Sequence, residues 1–233
     1  MVIDSGMGLQ AFADFLQMSA EYVDMIKIGY GTSALYPQKL LKQKIDLAKS
    51  YDICVFPGGT FLELAVKHNA VSSFFDHISR VGFSGIEVSD GTISMDRRTR
   101  DALIERGKSE GLTVFSEYGK KSAGSTIDND DLIRTLEEDI KHGASLVIVE
   151  GRESGLDVGI YDSSGRCKDE MLNALLQRME YPSQLMWEAP LKTQQVHLLK
   201  ALGSDINFGN ISPHDVYSLE ALRRGLRSDT MKC

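Results

Sequence analysis

Short β-branched apolar runs recur along the chain, separated by longer stretches whose apolar residues return every three or four positions. The runs are MVID, VDMIKIG, DICVFPG, GIEVSD, LTVFSEYG, SLVIVEG, LMWEAP and DINFGN. Each has the length of a strand. The stretches between them have helical periodicity: GLQAFADFLQMSAEY, PQKLLKQKIDLAKSY, AVSSFFDHISRVG, SMDRRTRDALIERGKSEG, DNDDLIRTLEEDIKHG, CKDEMLNALLQRME, LKTQQVHLLKALG and SPHDVYSLEALRRGLR. Helix punctuation agrees with this division. Ser212 before Pro213 suits an N-cap and first helical position, Asp128 to Asp131 put acid in a first turn, and Gly111, Gly143 and Gly203 suit helix exits.

Strand and helix alternate eight times within 233 residues with no linker or low-complexity stretch. That pattern predicts an α/β fold, a single (β/α)8 TIM barrel occupying residues 1–233 as one catalytic domain. The alternative, an open doubly wound sheet, lacks its usual mark, because neither GxGxxG nor GxxxxGK[ST] follows any strand.

Composition narrows the function classes. The chain is 42% hydrophobic and 25% charged, with a formal net charge of −7 and a pI near 5.3. Such a balance argues against general attraction to nucleic acid or an anionic membrane, so an anionic ligand needs a local basic site. Cys54, Cys167 and Cys233 form no CxxC pair and read as reduced thiols of a cytoplasmic protein. No run reaches the length of a membrane span, and MVIDSGMG lacks the regions of a signal peptide. The acidic charge and helical faces permit a homo-oligomer.

The strand ends carry the candidate chemistry, since in a barrel the eight βα loops converge there. Asp4 ends the first strand, Lys27 lies in the second, Glu87 in the fourth, and Glu117, Glu150, Glu188 and Asn210 end the last four. One such carboxylate is ordinarily a solvated cap or half of an ion pair. Several together require compensating cations, because like charges and desolvation both oppose ionisation. Lys27, Lys120, Lys121, Arg152 and Lys192 are available, and oxygen-rich ligands suit Mg²⁺ better than Zn²⁺. His68, His77, His142 and His197 fall in helical stretches and read as structural or surface groups; His214 reads as a first-turn surface residue. Tyr30, Tyr118 and Trp187 read as wall or core. Glycines in GYGTS, PGGT, SDGT and GNIS mark turns whose backbone N–H groups can meet an anion, which suggests a phosphorylated ligand.

Taken together, VIDSG, KIGYGTS, FPGGT, IEVSDG, EYGKK, VEGRESG, WEAPLKTQQV and LEALRRGLRSDT occur in order over essentially the whole chain. The set resembles the phosphosulfolactate synthase family. That resemblance implies a barrel lyase that adds sulfite to phosphoenolpyruvate with the help of Mg²⁺, serving coenzyme M synthesis in archaea and sulfolactate synthesis in bacteria. It implies a lysine that protonates C2, with Lys121 ahead of Lys120 and Lys27. Arg152 is expected to hold phosphate or sulfite, and Asn210, Ser89, Gly58 and Gly59 to contact substrate. Glu150, Glu188 and Glu117, followed by Asp4 and Glu87, are the expected metal or lysine partners. The chain departs from the family pattern at Ser5, where a lysine is expected, and at GLRSD, where a second glycine is expected. Another phosphoenolpyruvate or enolate reaction on the same barrel, or a non-catalytic phosphometabolite-binding protein, stays open on sequence alone.

Overall fold

Alternate residues of each strand face the barrel interior, and this period of two determines which side chains meet at the centre. The computed structural model describes residues 1–178 and 182–231. In chain order its elements are β1 (Val2–Asp4), α1 (Leu9–Ser19), β2 (Met25–Ile28), α2 (Gln38–Lys49), β3 (Cys54–Pro57), α3 (Thr60–Lys67), α4 (Val71–Val81), β4 (Gly85–Val88), α5 (Arg97–Ser109) and β5 (Thr113–Tyr118). There follow β6 (Ser125–Thr126), α6 (Asn129–His142), β7 (Leu146–Val149), β8 (Val158–Gly159), α7 (Asp169–Leu176), β9 (Leu185–Glu188), α8 (Lys192–Leu202), β10 (Asn207–Gly209) and α9 (Val216–Arg223).

All strand pairings between these elements are parallel, in the orders β1-β2-β3 and β10-β9-β7-β5-β4. The two arcs join at both ends. Between β3 and β4, Ser84 N donates to Val55 O at 3.0 Å and Val55 N donates to Ser84 Oγ at 2.8 Å. Between β10 and β1, Val2 bridges Ile211 and Ile3 N donates to Ile211 O at 3.0 Å. The closed ring is the eight-stranded barrel that the alternation predicts.

Two apolar regions hold it together. The larger lies between strands and helices and includes Phe12, Ile45, Phe75, Ile86, Val147 and Trp187. A smaller layer inside the ring is built from Met1, Phe56, Phe115, Ile148 and Met186, with the Phe56 and Phe115 rings 4.6 Å apart. Strands covered on both faces are apolar almost throughout, and β4 and β9 are buried at every position.

The predicted caps are present. Asp128 accepts from Asp131 N at the start of α6, and Gly143 ends that helix at φ 119°. Ser212 caps a short 3-10 turn, Pro213–Asp215, rather than α9 itself. Two features go beyond the sequence reading. α3 occupies TFLELAVK, which the pattern left unassigned, because Glu63 sits on its buried face and breaks the apolar stripe. β6 and β8 form a separate parallel pair that ties the loop after β5 to the loop after β7. Cys54 and Cys167 are free thiols; Cys233 and the Met179–Glu180 end of the seventh predicted helix lie outside the described residues. Among the described residues, no helix is long and apolar enough to cross a membrane.

Candidate active site

One step above the inner apolar layer, the same inward-facing positions turn ionic. Glu87 follows Gly85 by two residues, Glu117 follows Phe115, Glu150 follows Ile148, and Glu188 follows Met186. Lys27 joins them from β2, two residues after Met25. Period-two geometry thus delivers four carboxylates and a lysine to one level at the C-terminal ends of the strands, all of them at most 6% exposed.

Lys27 holds the centre. Its Nζ lies 2.8 Å from Glu87 Oε2, 3.1 Å from Glu188 Oε1 and 3.4 Å from Glu117 Oε2. Lys121 reaches in from the loop after β5, 2.9 Å from Glu117 Oε1 and 3.1 Å from Glu150 Oε2. Backbone donors fix several of the remaining oxygens: Gly59 N donates to Glu87 Oε1 at 2.7 Å, Gly151 N to Glu188 Oε2 at 3.0 Å and Arg152 N to Glu150 Oε1 at 2.7 Å.

The electrostatics follow from this crowding. Burial disfavours the charged form of Lys27, but Glu87, Glu188 and Glu117 overcome it and raise its pKa well above the usual lysine value. Lys121 is likewise raised: burial opposes its charge, and Glu117 and Glu150 outweigh that. Glu117, between two lysines, is held well below the ordinary carboxylate range by Lys121 and Lys27 in spite of its burial. Burial pushes Glu150 up to about 10, with Glu117 and Glu188 adding repulsion. Burial also pushes Glu87 up to about 7, against the pull of Lys27. Environments that separate the pKa values of neighbouring groups are characteristic of acid–base sites.

Four carboxylates against two ammonium groups leave a formal excess of two negative charges. Carboxylate oxygens of Glu117, Glu150 and Glu188 all lie within 4.8 Å of one another. Among the described residues, Glu117 Oε1, Glu150 Oε2 and Glu87 Oε2 make no well-aligned hydrogen bond, although each has a lysine ammonium within ion-pair distance. The ammonium groups are shared among several oxygens, which leaves lone pairs directed elsewhere. A hard, oxygen-rich donor set short of two positive charges fits a divalent cation such as Mg²⁺.

Above this ionic floor lies a pocket of about 110 Å³, walled by Tyr30, Gly31, Gly58, Gly59, Thr60, Arg152, Glu153 and Asn210. A Cβ at Gly59 would fall 2.7 Å from Glu87 Oε1 and still nearer Ser89 Oγ, so only glycine allows the chain to close against the carboxylate. Arg152, at φ 57°, donates through Nη1 to Lys121 O at 3.0 Å and keeps Glu153 at 3.8 Å. Asn210, at φ 55°, is buried with its Oδ1 unpartnered among the described residues.

The expected site residues divide accordingly. Lys27, Lys121, Glu87, Glu117, Glu150, Glu188, Arg152, Asn210, Gly58 and Gly59 gather at the pocket or its floor. Ser89 borders it but donates its hydroxyl to Glu63. Asp4 needs correction as a metal candidate: it is fully buried against Lys44 and accepts from Gly6 N and Met7 N at 2.9 Å. Lys120 needs correction as an acid. It faces away from the carboxylates, 2.6 Å from Asp90 Oδ2, with a side chain 51% exposed. Lys192 pairs with Asp229, Trp187 is core, and Tyr30 is an exposed rim residue.

Residues behind the site escaped the sequence reading. Arg100 of α5 donates to the Glu117 carbonyl at 3.0 Å and is gripped by buried Asp139 at 2.6 Å. Tyr161 donates to the Glu188 carbonyl at 2.6 Å. Glu63 accepts from the turn after β4. An acid or arginine on a helix gives no local signal of such service.

Residues 1–229 match the family described as (2R)-phospho-3-sulfolactate synthase (ComA). A phosphosulfolactate synthase of Methanothermobacter thermautotrophicus is 40% identical, over 99% of this chain and 90% of its own length. One from Bacillus subtilis is 38% identical, again over 99% of this chain and 90% of its own. Among solved structures, 3-hexulose-6-phosphate synthase from Salmonella typhimurium superposes with a TM-score of 0.59 at 16% identity, covering 95% of this chain and 98% of that one. Phosphonopyruvate hydrolase, in complex with oxalate and Mg²⁺, gives 0.58 at 12% identity, covering 97% and 80%. At those identities the likeness concerns the barrel alone. The match from end to end of the barrel, with relatives at 38 to 40% identity, shows that this chain belongs to the phosphosulfolactate synthase family.

Proposed function

We propose that this protein adds sulfite to C3 of phosphoenolpyruvate and protonates C2, forming phosphosulfolactate, with Mg²⁺ as cofactor. The observation that carries the reading is the ring of buried carboxylates shared by Lys27 and Lys121 beneath a small pocket lined by Arg152.

The sulfur lone pair forms the C–S bond at C3. The C2–C3 π pair moves toward the substrate carboxylate, which becomes a doubly negative aci-carboxylate. A proton is then delivered to C2, and its face of arrival sets the stereocentre. Lys121 is the group we assign to that delivery: its neighbours keep it protonated, and its position at the mouth of the ring is open to the pocket. Lys27, enclosed by three carboxylates, supplies fixed positive charge to the floor. Preorganised charge at a developing anion is worth about 3 kcal/mol for one strong donor. Arg152 takes a phosphate or sulfite oxygen pair, a task suited to its planar fork.

Glu117, Glu150 and Glu188 would hold the Mg²⁺, and Glu87, bonded to Gly59 N, would remain the partner of Lys27. When bound, the ion supplies Lewis-acid charge against the developing carboxylate dianion. Gly58, Gly59 and Asn210 line the same pocket, where their backbone and amide groups would meet a second anionic end of the substrate.

The test is direct. Protein incubated with Mg²⁺, phosphoenolpyruvate and sulfite should yield phosphosulfolactate, seen by phosphorus NMR and mass spectrometry. Turnover with another nucleophile in place of sulfite, and none with sulfite, would select a different enolate reaction. Tight phosphoenolpyruvate binding with no product under any divalent ion would select a binding protein.

A further inference from the structure

Glu63 takes no part in the reaction outlined above, yet it is fully buried in the first turn of α3. Among the described residues no cationic side chain lies within ion-pair distance of it. Its carboxylate is instead filled by neutral donors from a single turn after β4. Oε1 accepts from Ser89 Oγ and from Gly91 N at 3.0 Å; Oε2 accepts from Thr92 N at 2.9 Å and from Thr92 Oγ1. A carboxylate accepts at all of these positions together, whereas an amide must present N–H to some of them.

The turn held in this way is the surface on which Lys121 lies. Lys121 N donates to Gly91 O at 3.1 Å. A Cβ added to Gly91 would stand 2.8 Å from Lys121 Cε, 2.9 Å from Cγ and 3.2 Å from Cδ, so the lysine chain runs across the bare glycine. Both the backbone and the aliphatic stem of Lys121 are therefore referred to a turn whose shape Glu63 fixes.

We propose that Glu63 is a positioning residue for Lys121, acting through the Ser89–Thr92 turn to direct the ammonium group; this rests on Lys121 being the proton donor of the proposed reaction. The same link explains why a helix with an otherwise apolar inner face spends a buried position on a carboxylate.

Three variants test it: Glu63→Gln, Gly91→Ala, which pushes the Lys121 stem from the other side, and Thr92→Val, which removes one donor at an exposed position. In Glu63→Gln and Gly91→Ala, kcat should fall about 100-fold, the cost of roughly ångström-scale misplacement, while KM for phosphoenolpyruvate changes by less than about threefold. The solvent deuterium isotope effect on kcat should rise, because proton delivery becomes slower, and the product should lose configurational purity at C2. Thr92→Val should show the same signature in milder form, and it carries the test if Glu63→Gln does not fold. Crystal structures of the variants should show Lys121 Nζ displaced from Glu117 and Glu150. Unchanged kcat, a loss confined to KM, an unchanged isotope effect, or Lys121 left in place would overturn the proposal. If wild-type protein makes no phosphosulfolactate, the proposed function alone fails, since the displacement of Lys121 is read without turnover.

Discussion

Lys121 Nζ stands 3.1 Å from Glu150 Oε2, and yet burial and the neighbouring Glu117 and Glu188 push that carboxyl up to about 10. One ammonium group shared with Glu117 does not neutralise the ring. Burial and its acidic neighbours thus favour the protonated form of Glu150 in the protein without metal.

Stability should record that proton. In the unfolded chain the group is ionised above about 4.5, while in the folded chain it stays protonated to about 10. The folded state binds more protons across that window, so this group's contribution falls as pH rises, by up to about 1.4 kcal/mol per pH unit. Glu117, with a lowered pKa, acts in the opposite sense: its stabilisation is present above the ordinary carboxylate value and is lost on acidification. Glu87, pushed up to about 7, has largely finished titrating by pH 8. Thermal melts in EDTA between pH 8 and 9.5 should show a steeper decline for wild type than for Glu150→Gln. Parallel slopes would mean that Glu150 is ionised in the metal-free fold.

Divalent metal should supply the missing charge. Saturating Mg²⁺ should raise the melting temperature, by about 2.7 kcal/mol of stabilisation at 100 times its dissociation constant, and EDTA should abolish turnover. Glu188→Gln should weaken both effects. Titration calorimetry and melts measure binding without catalysis. A Glu188→Gln protein with the wild-type Mg²⁺ response would remove that residue from the ligand set.

The adjacent lysines offer a sharp contrast. Lys121→Gln should lower kcat by about 100-fold to 10,000-fold, the usual contribution of a general acid, with phosphoenolpyruvate binding largely kept. Lys120→Gln breaks an exposed pair with Asp90, worth at most about 1 kcal/mol. Its kcat should stay close to wild type. Equal losses in the two variants would mean that the loop after β5 rearranges when substrate binds.

Much of this site was legible in the sequence because a barrel turns strand position into location. An acid two residues beyond an inward-facing Phe115, Ile148 or Met186 must point inward at the next level, and the alternating pattern placed Glu117, Glu150 and Glu188 at strand ends. Asp4 obeys the same alternation with the opposite outcome. β1 is three residues long, and Asp4 is even numbered like Val2, whose side chain joins the outer core rather than the inner layer. Its carboxylate is therefore on the helix side. Lys120 and Lys121 could not be separated by type, because only the path of the loop over Gly91 decides which one enters. Glu63, Lys44 and Asp139 lie on helices, where a sequence shows a charge but not its distant partner.

A partner of Lys44 and a metal ligand at Asp4 would be disturbed in different ways. Lys44 is fully buried, paired with Asp4, bonded to Met7 O at 2.8 Å and Tyr36 Oη at 3.0 Å, and placed over the Phe12 and Tyr36 rings at 4.7 and 4.6 Å. Asp4→Asn would leave that ammonium buried without its counter-charge, which typically costs about 3–5 kcal/mol. For a chain of this size the loss corresponds to a melting shift on the order of 10 °C. Adding Lys44→Met to Asp4→Asn removes the uncompensated charge and should restore much of the stability. Turnover per folded molecule and Mg²⁺ affinity should stay near wild type in both variants, because the pair lies outside the carboxylate ring. If Asp4→Asn instead melted normally but lost its Mg²⁺ response, Asp4 would return to the metal site and its partnership with Lys44 would be secondary.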